Sequence, residues 1–319
     1  NCHLLATNML KPKIYLPLFS VLSFMFSFTN SSVAQWSHTF EEGVIPVITN
    51  GDTLSNPWVG GLTAPQWSPI DFDSDGDEDL FAFDRDGSRL LAFERMEQGW
   101  KYRPKWVLGW PELVDWCLLR DFDCDGRPDI FTSHQNGIYV YRNVTENPLE
   151  PQFIPAATPL LASYDFGAGA DMLPVVCLGI DIPAILDHDG DGDMDIITFT
   201  ESSSTLYRFQ GTLECGLQME CTNRCYGMLA EASENNALFI GDDFECGFNV
   251  TDPREQYGTL HAGGSLTSLQ LDNEGPLDLL IGDVSFPTSI AVLMDDAIDG
   301  QDSAIFVDSS FPMLTGGVE

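Results

Sequence analysis

Four short acidic segments contain the side chains of this sequence best suited to chemistry. In each, acidic residues alternate with other residues, a glycine stands at the sixth position and an aspartate at the ninth. The segments at residues 71–79, 121–129 and 187–195 are complete, whereas the one at 270–278 begins with glutamine. Alternating side chains converge only where the chain curls around a common centre, and glycine permits that turn. The pattern therefore predicts loops that gather oxygen ligands.

Calcium is the ion that these loops suit best. Hard oxygen ligands in this number favour Ca²⁺ over Mg²⁺, and no cysteine or histidine stands at a ligand position, as zinc would require. The seventh residue contributes its backbone carbonyl, so Arg127 is compatible with a site. We therefore predict three calcium sites and a weaker fourth. The candidate ligands are Asp71, Asp73, Asp75, Asp77, Asp79, Asp121, Asp123, Asp125, Arg127, Asp129, Asp187, Asp189, Asp191, Asp193, Asp195, Asp272, Glu274 and Asp278.

Two other interpretations compete with a calcium-bearing β-loop. An EF-hand starts in the same way but ends with a glutamate at position twelve, where this chain has Ala82, Thr132 and Thr198 in apolar, strand-like runs. An acidic turn without metal would leave several carboxylates repelling one another. The EF-hand interpretation is therefore excluded for all three complete segments. The metal-free turn is the stronger alternative only at residues 270–278.

Each acidic segment lies inside a repeated unit of strand, acidic loop, strand, turn and strand. In the first unit the apolar runs are Trp67–Ile70, Leu80–Phe83 and Leu90–Phe93. The segments start at intervals of 50, 66 and 83 residues, and a four-stranded propeller blade needs about 40–50 residues. The longest interval therefore holds an insertion, which is rich in cysteine at residues 210–250. We predict an all-β fold, a β-propeller of four-stranded antiparallel blades with calcium-binding loops.

The three complete loops, each followed by Leu or Ile, resemble FG-GAP/VCBS repeats, the calcium-bearing blades of integrin-like β-propellers. The resemblance spans roughly residues 58–290 and includes stretches similar to secreted VCBS-repeat proteins of Bacteroidota, which often end in a type IX secretion sorting domain. It implies adhesion, matrix contact or glycan recognition, commonly through a face of the propeller. The stretches are Gly60–Gln66, Trp116–Asp121, Cys221–Gly227 and Leu279–Asp283.

The number of visible units predicts an incomplete propeller. The FG-GAP propellers that this chain resembles usually close with about six to eight blades. Only four acidic segments are visible in this sequence. Either a degenerate blade lies in residues 35–60 and 285–319 or the ring is cut. No sorting domain is visible, and we expect a chain truncated at its C-terminus.

The N-terminal region predicts export. Lys11 and Lys13 precede an apolar stretch from Ile14 to Phe28, and Ser32-Val33-Ala34 offers small residues for cleavage. The apolar stretch is shorter than the ~20 residues of a membrane span, which favours a cleaved signal over an anchor. We expect upstream read-through at residues 1–8, a signal peptide at 9–34 and the propeller at 35–319. The localisation is then secreted or cell-surface.

Composition limits the partners. The formal net charge is −35, with 49 acidic against 14 basic residues, so nucleic acid and anionic membrane surfaces are unfavourable partners. With 44% apolar residues the chain can bury a core, so its acidity does not indicate disorder. A glycan or an extracellular protein is the expected ligand.

The cysteines favour disulfides over zinc. Export places them in an oxidising compartment, and the spacing of Cys215, Cys221, Cys225 and Cys246 matches no common zinc site. A bridge between Cys117 and Cys124, across the second acidic loop, is possible.

The sequence favours recognition over catalysis. It has no Gly-x-Ser-x-Gly elbow and no His-x-x-x-His pair, and nearly all paired carboxylates belong to the predicted calcium loops. Six tryptophans could stack on sugars or pack between blades: Trp58, Trp67, Trp100, Trp106, Trp110 and Trp116. The alternatives are the propeller portion of a larger secreted enzyme, such as a polysaccharide lyase, and a structural spacer at the cell envelope.

Overall fold

A computed structural model describes residues 45–147, 150–165, 169–200, 205–232, 236–240, 263–298 and 301–312. Contacts divide the chain into two units, Asn1–Glu42 and Gly43–Glu319, and every described residue lies in the second. The predicted signal peptide and the residues before it lie outside the described residues. No helix in these seven ranges has the length and apolarity to span a bilayer.

β-Strands make up most of the described chain. They are β1 (Ile48–Thr49), β2 (Asp52–Thr53), β3 (Pro65–Ile70), β4 (Asp79–Asp84), β5 (Arg89–Arg95), β6 (Trp100–Tyr102), β7 (Cys117–Arg120), β8 (Asp129–His134), β9 (Gly137–Asn143), β10 (Phe153–Ala157), β11 (Leu161–Asp165), β12 (Ala170–Pro174), β13 (Ala184–Leu186), β14 (Asp195–Phe199), β15 (Leu206–Gly211), β16 (Met219–Tyr226), β17 (Leu229–Ala232), β18 (Ala237–Ile240), β19 (Gly264–Leu269), β20 (Asp278–Asp283), β21 (Ser289–Ile298) and β22 (Gln301–Phe311). A single-turn 3₁₀ helix follows β6 at Pro104–Val107.

Four antiparallel blades form the body of the fold, arranged as in a β-propeller. They are β3–β6, β7–β10, β13–β16 and β19–β22, with the strands of each blade hydrogen-bonded in chain order. The first strands of consecutive blades are neighbours, since β3 contacts β7, β7 contacts β13 and β13 contacts β19. The predicted all-β propeller with four-stranded antiparallel blades is thereby confirmed.

The second strand of each blade is the most deeply buried. Strand β14 is buried along its whole length, and β4 and β8 at all but one residue each. A strand covered on both faces by neighbouring blades needs continuous apolar residues rather than alternation. This is why the apolar runs directly after the acidic segments predicted the strands so well.

Side chains of adjacent blades pack together in the core. Trp110 stacks on Phe81 with ring centroids 4.7 Å apart and also contacts Phe153, so it joins the first two blades. Between the second and third blades, Arg120 donates to the carbonyl of Ile185. Of the six tryptophans, Trp106, Trp110 and Trp116 are buried, whereas Trp58, Trp67 and Trp100 are exposed.

The structure changes three details of the sequence interpretation. Strand β16 is the fourth strand of the third blade, so that blade extends into the residues interpreted as a cysteine-rich insertion. Strands β11 and β12 join the same sheet, because β11 pairs in parallel with β16. Strands β21 and β22 are the outer strands of the fourth blade rather than part of a hidden further blade, and β1 and β2 form only a two-stranded hairpin.

A disulfide links Cys124 of the second acidic loop to Cys215, 91 residues further along the chain, in the turn between β15 and β16. The possible bridge between Cys117 and Cys124 is absent. Cys117, in β7, is buried in the core and is a free thiol. Cys225 is disulfide-bonded as well, and Cys246 lies outside the described residues. The predicted use of disulfides is confirmed.

Removing the Cys124–Cys215 bridge should destabilise the protein. A cross-link that closes a loop of this length stabilises a fold by about 2–5 kcal/mol, mainly by restricting the unfolded chain. We expect the double variant Cys124→Ser/Cys215→Ser to lose a stability in that range in urea denaturation. Cys221→Ser, which alters a free thiol, is the matched control and should stay close to the parent. Equal midpoints for the parent and the double variant would contradict the assignment.

Candidate metal centre

The four acidic loops occupy equivalent places in the four blades. Each joins the first strand of a blade to the second, as residues 71–78 do between β3 and β4. Because the blades share this order of strands, the loops emerge at one end of the propeller. The turns that join the second strands to the third lie at the other end.

Two residues in each loop adopt a left-handed backbone conformation, and these curl the chain. The glycine at position six does so, as predicted: φ is 92° at Gly76, 85° at Gly126, 93° at Gly192 and 64° at Gly275. Position four does so as well: φ is 61° at Ser74, 56° at Cys124, 78° at Gly190 and 66° at Asn273. Sequence reasoning missed position four, although glycine and asparagine there are the types that favour this conformation.

The first residue of each complete loop holds the curl together. Asp71 accepts hydrogen bonds from the backbone N–H groups of Asp75 and Gly76, at 3.2 and 3.1 Å. Asp121 accepts the two equivalent bonds in the second loop, and Asp187 accepts from Gly190 and Gly192 in the third. In the fourth loop Gln270 donates instead, to the carbonyl of Gly275.

The ninth residue is buried in all four loops. Asp79, Asp129, Asp195 and Asp278 are at most 3% exposed. One carboxylate oxygen accepts the backbone N–H of the second loop residue in three loops, from Phe72 at 3.0 Å, Phe122 at 3.1 Å and Leu271 at 2.7 Å. The other oxygen accepts a backbone N–H of the third strand in all four loops, at 2.7–3.0 Å. The donor is the last residue of that strand in three blades, Arg95, Asn143 and Gly211, and Met294 within β21 in the fourth. This aspartate therefore joins the loop to the sheet.

In each of three loops, carboxylate oxygens lie close enough together to bind the same cation. Their oxygens lie within 4.8 Å of one another in the groups Asp71/Asp73/Asp79, Asp121/Asp123/Asp129 and Asp187/Asp189/Asp191. In the part of the chain that the structure describes, Oδ1 of Asp73, Asp123 and Asp193 is buried without a hydrogen-bond partner. Buried carboxylate oxygens that lack a donor fit the hard cation that the sequence predicted.

The remaining predicted ligands lie outside these groups. Asp75, Asp77, Asp125, Arg127, Asp193 and Asp195 belong to the same loops, but their side-chain atoms are not part of the clusters. Asp272, Glu274 and Asp278 form no such cluster within the described ranges. The fourth loop keeps the backbone turn without gathering its carboxylates.

Burial and mutual repulsion raise the pKa of several loop carboxyls. Burial raises the pKa of Asp129 to about 7, with the charges of Asp123 and Asp125 adding to it against two backbone hydrogen bonds. Burial likewise raises the pKa of Asp193 to about 6, with Asp191 adding to the effect. The loops thus favour a proton or another cation at neutral pH.

Arginine and glutamine side chains reach the second and third loops, and these side-chain contacts were not predicted from the sequence. Arg142 pairs with Asp123 and Asp125, and Arg127 also pairs with Asp125. Arg208 lies 2.7 Å from Asp189 and 3.1 Å from Asp195. Gln210 donates to Asp189 at 2.8 Å. Arg127 belongs to the second loop itself. The other three side chains come from the third strands of their blades, and only the strand register identifies them.

Comparison with known proteins supports the repeat. Residues 71–132 match a family model described as an FG-GAP-like repeat; this stretch runs from the first loop to the end of the second and into β8. No curated protein matches the chain. A solved structure with some similarity is a lectin of Agrocybe aegerita that specifically recognises non-reducing terminal N-acetylglucosamine, with 16% identity and a TM-score of 0.38. The match covers 77% of this chain and 52% of the lectin chain, so this chain spans about half the length of that structure.

The stabilising effect of calcium should grow with pH. A carboxyl whose pKa is raised in the folded state stabilises the fold while protonated, and this contribution is lost as the pH rises through its folded pKa, here about 6 for Asp193 and about 7 for Asp129. Calcium favours the ionised form instead. We expect the difference in melting temperature between excess calcium and chelator to widen from about pH 5 to about pH 7.5. A constant difference, measured by differential scanning fluorimetry, would contradict the role of these carboxyls.

Proposed function

We propose that this chain is a secreted or cell-surface calcium-binding β-propeller that acts in adhesion or in recognition of a glycan or extracellular protein, without catalysis. The observation that carries the calcium part is the repeated loop, in which three carboxylate clusters share one backbone geometry. The ions would brace the blades, because extracellular calcium modules typically bind at about 10⁻⁴ to 10⁻³ M. Residues of the first, second and third loops would hold them.

Disulfides support an extracellular location. The Cys124–Cys215 bridge connects exposed loop residues of two blades, and such bridges persist in oxidising compartments. This agrees with the export signal that the sequence predicts at residues 9–34. The proposed secretion therefore rests on two independent features of the chain.

A cavity at the end opposite the acidic loops is the best candidate for recognition. It has a volume of about 580 Å³ and lies between the β8–β9 turn and strand β12. Its lining combines rings with amides: His134, Gln135, Asn136, Tyr139, Tyr164 and Tyr207. Cavities of about 300–1,000 Å³ with a few polar groups among apolar and aromatic side chains are the usual ligand sites of proteins.

The chemistry of this cavity favours a sugar over a flat protein surface. Tyr139 and Tyr207 are half-buried, which leaves part of each ring accessible, and a ring face attracts the C–H side of a sugar. Gln135 and Asn136 are exposed at the rim of the cavity and can donate to and accept from hydroxyl groups. His134 packs against Tyr139 with ring centroids 4.5 Å apart and the rings tilted by 38°, which holds the tyrosine in place.

Calcium binding is tested by removing one predicted ligand. In the variant Asp73→Asn we expect one fewer calcium ion in isothermal titration, because a buried oxygen of the first cluster loses its charge. At a tenfold excess of calcium over its dissociation constant, the loss of one site costs about 1.4 kcal/mol of stability. Asp86→Asn, an exposed aspartate at the opposite end of the same blade, is the matched control and should titrate like the parent. Identical stoichiometries for all three proteins would contradict the site.

Glycan recognition is tested by truncating the cavity. We expect Tyr139→Ala and Tyr207→Ala each to weaken glycan binding at least about tenfold, since loss of an aromatic anchor commonly costs more than 1 kcal/mol. Trp67→Ala removes an exposed aromatic ring from the first blade and should bind like the parent. The measurement is a glycan array followed by titration of the best ligand. Equal binding by all variants would place recognition elsewhere, and a parent that binds no glycan would favour a protein ligand.

A further inference from the structure

One position in each blade faces the buried aspartate of the acidic loop from the third strand. The strand register defines it: Leu80 pairs with Phe93, Ile130 with Tyr141, and Ile196 with Phe209. The next residue of each third strand therefore lies across from Asp79, Asp129 or Asp195. We call this the facing position, and it is occupied by Glu94, Arg142 and Gln210 in the first three blades.

Equivalent positions in the first three blades thus carry an acidic, a basic and an amide side chain beside otherwise similar loops. In the fourth blade, where Leu279 pairs with Val292, the facing position is Leu293. Because backbone and loop geometry repeat, these side chains occupy the same position relative to the loop and differ in charge. Any cation held by the loops meets a different local field in each blade.

In the second blade the facing position supplies positive charge directly to the loop. Nε of Arg142 pairs with Oδ2 of Asp123, and its Nη2 lies 3.6 Å from Oδ2 of Asp125. Asp123 is only 14% exposed and Asp125 20%, so the pairs are partly shielded from water. Arg127 pairs with the same oxygen of Asp125. Two guanidinium groups therefore compensate the carboxylates that would otherwise hold a cation.

In the first blade the facing position adds negative charge. Glu94 lies across from Asp79 in the register of β4 and β5, so it adds a carboxylate beside the first loop. Arg103 pairs with Glu94, through Nε at 2.8 Å and through Nη2, and not with a carboxylate of the first loop. None of the ion pairs within the described ranges places a basic side chain on Asp71, Asp73 or Asp79.

We propose that the facing position grades the calcium dependence of the loops, with Arg142 acting as an internal counter-cation in the second loop and Glu94 strengthening the first. The proposal rests on the calcium function proposed above. The second loop then keeps its shape with little divalent ion, and a divalent ion there works against the guanidinium. The first loop depends on the ion most, and the third, with Gln210 and Arg208, lies between them.

Calcium titration of the full chain with charge-removing variants tests this grading. In Arg142→Gln we expect the weaker class of sites to bind calcium about tenfold more tightly, because a like charge a few ångströms away is removed from a half-exposed position. The melting temperature of this variant should fall in chelator, and its increase on adding calcium should exceed that of the parent. Glu94→Gln should weaken the tighter class and leave the weaker class unchanged.

Two controls separate the local effect from net charge and from folding defects. Lys105→Gln removes an exposed positive charge from the 3₁₀ helix that follows the first blade and should change affinities less than about twofold, as surface charges do. Arg142→Lys keeps the charge and should titrate like the parent. If Arg142→Gln folds poorly, Glu94→Gln and Arg142→Lys still test the grading.

The outcomes distinguish this inference from the function on which it rests. A parent that binds calcium, with Arg142→Gln and Glu94→Gln giving the parental isotherm, overturns the grading and leaves the calcium function in place. A parent that binds no calcium overturns both. Opposite shifts of the two affinity classes in the two variants support the inference.

Discussion

The buried aspartate at the ninth loop position is the interaction on which the blades depend. Each of these four carboxylates is almost fully enclosed and accepts a backbone N–H of the third strand. In three blades it also accepts one from the loop. A buried carboxylate without such donors would be strongly destabilising. The residue therefore fixes the loop, the second strand and the third strand relative to one another, whether or not a cation is bound.

This constraint explains why the fold could be predicted from the sequence. The aspartate marks the first residue of β4, β8, β14 and β20, so the motif identifies the start of the central strand in every blade. The apolar run that follows is continuous because that strand is covered on both faces. Local pattern and tertiary position thus point to the same assignment, and the four blades were predictable.

The features that escaped prediction depend on contacts between residues far apart in sequence. Strand β11 pairs in parallel with β16, a long-range contact with no signal in either segment. Cys124 reaches Cys215 because the second loop and the β15–β16 turn of the next blade are neighbours. Cys117, in contrast, lies on the buried face of β7. Arg142 reaches the second loop only through the register of β8 and β9. Spacing along the chain predicts none of these.

The second loop combines a covalent link with two guanidinium partners. Its Cys124 is tied covalently to the third blade, and Arg127 and Arg142 pair with its carboxylates. A tether lowers the conformational freedom that the loop gains on opening, while the guanidinium groups relieve the repulsion between the aspartates. In the first loop Ser74 stands where Cys124 does, and the facing residue is acidic. The same backbone geometry is therefore supported by different means in adjacent blades.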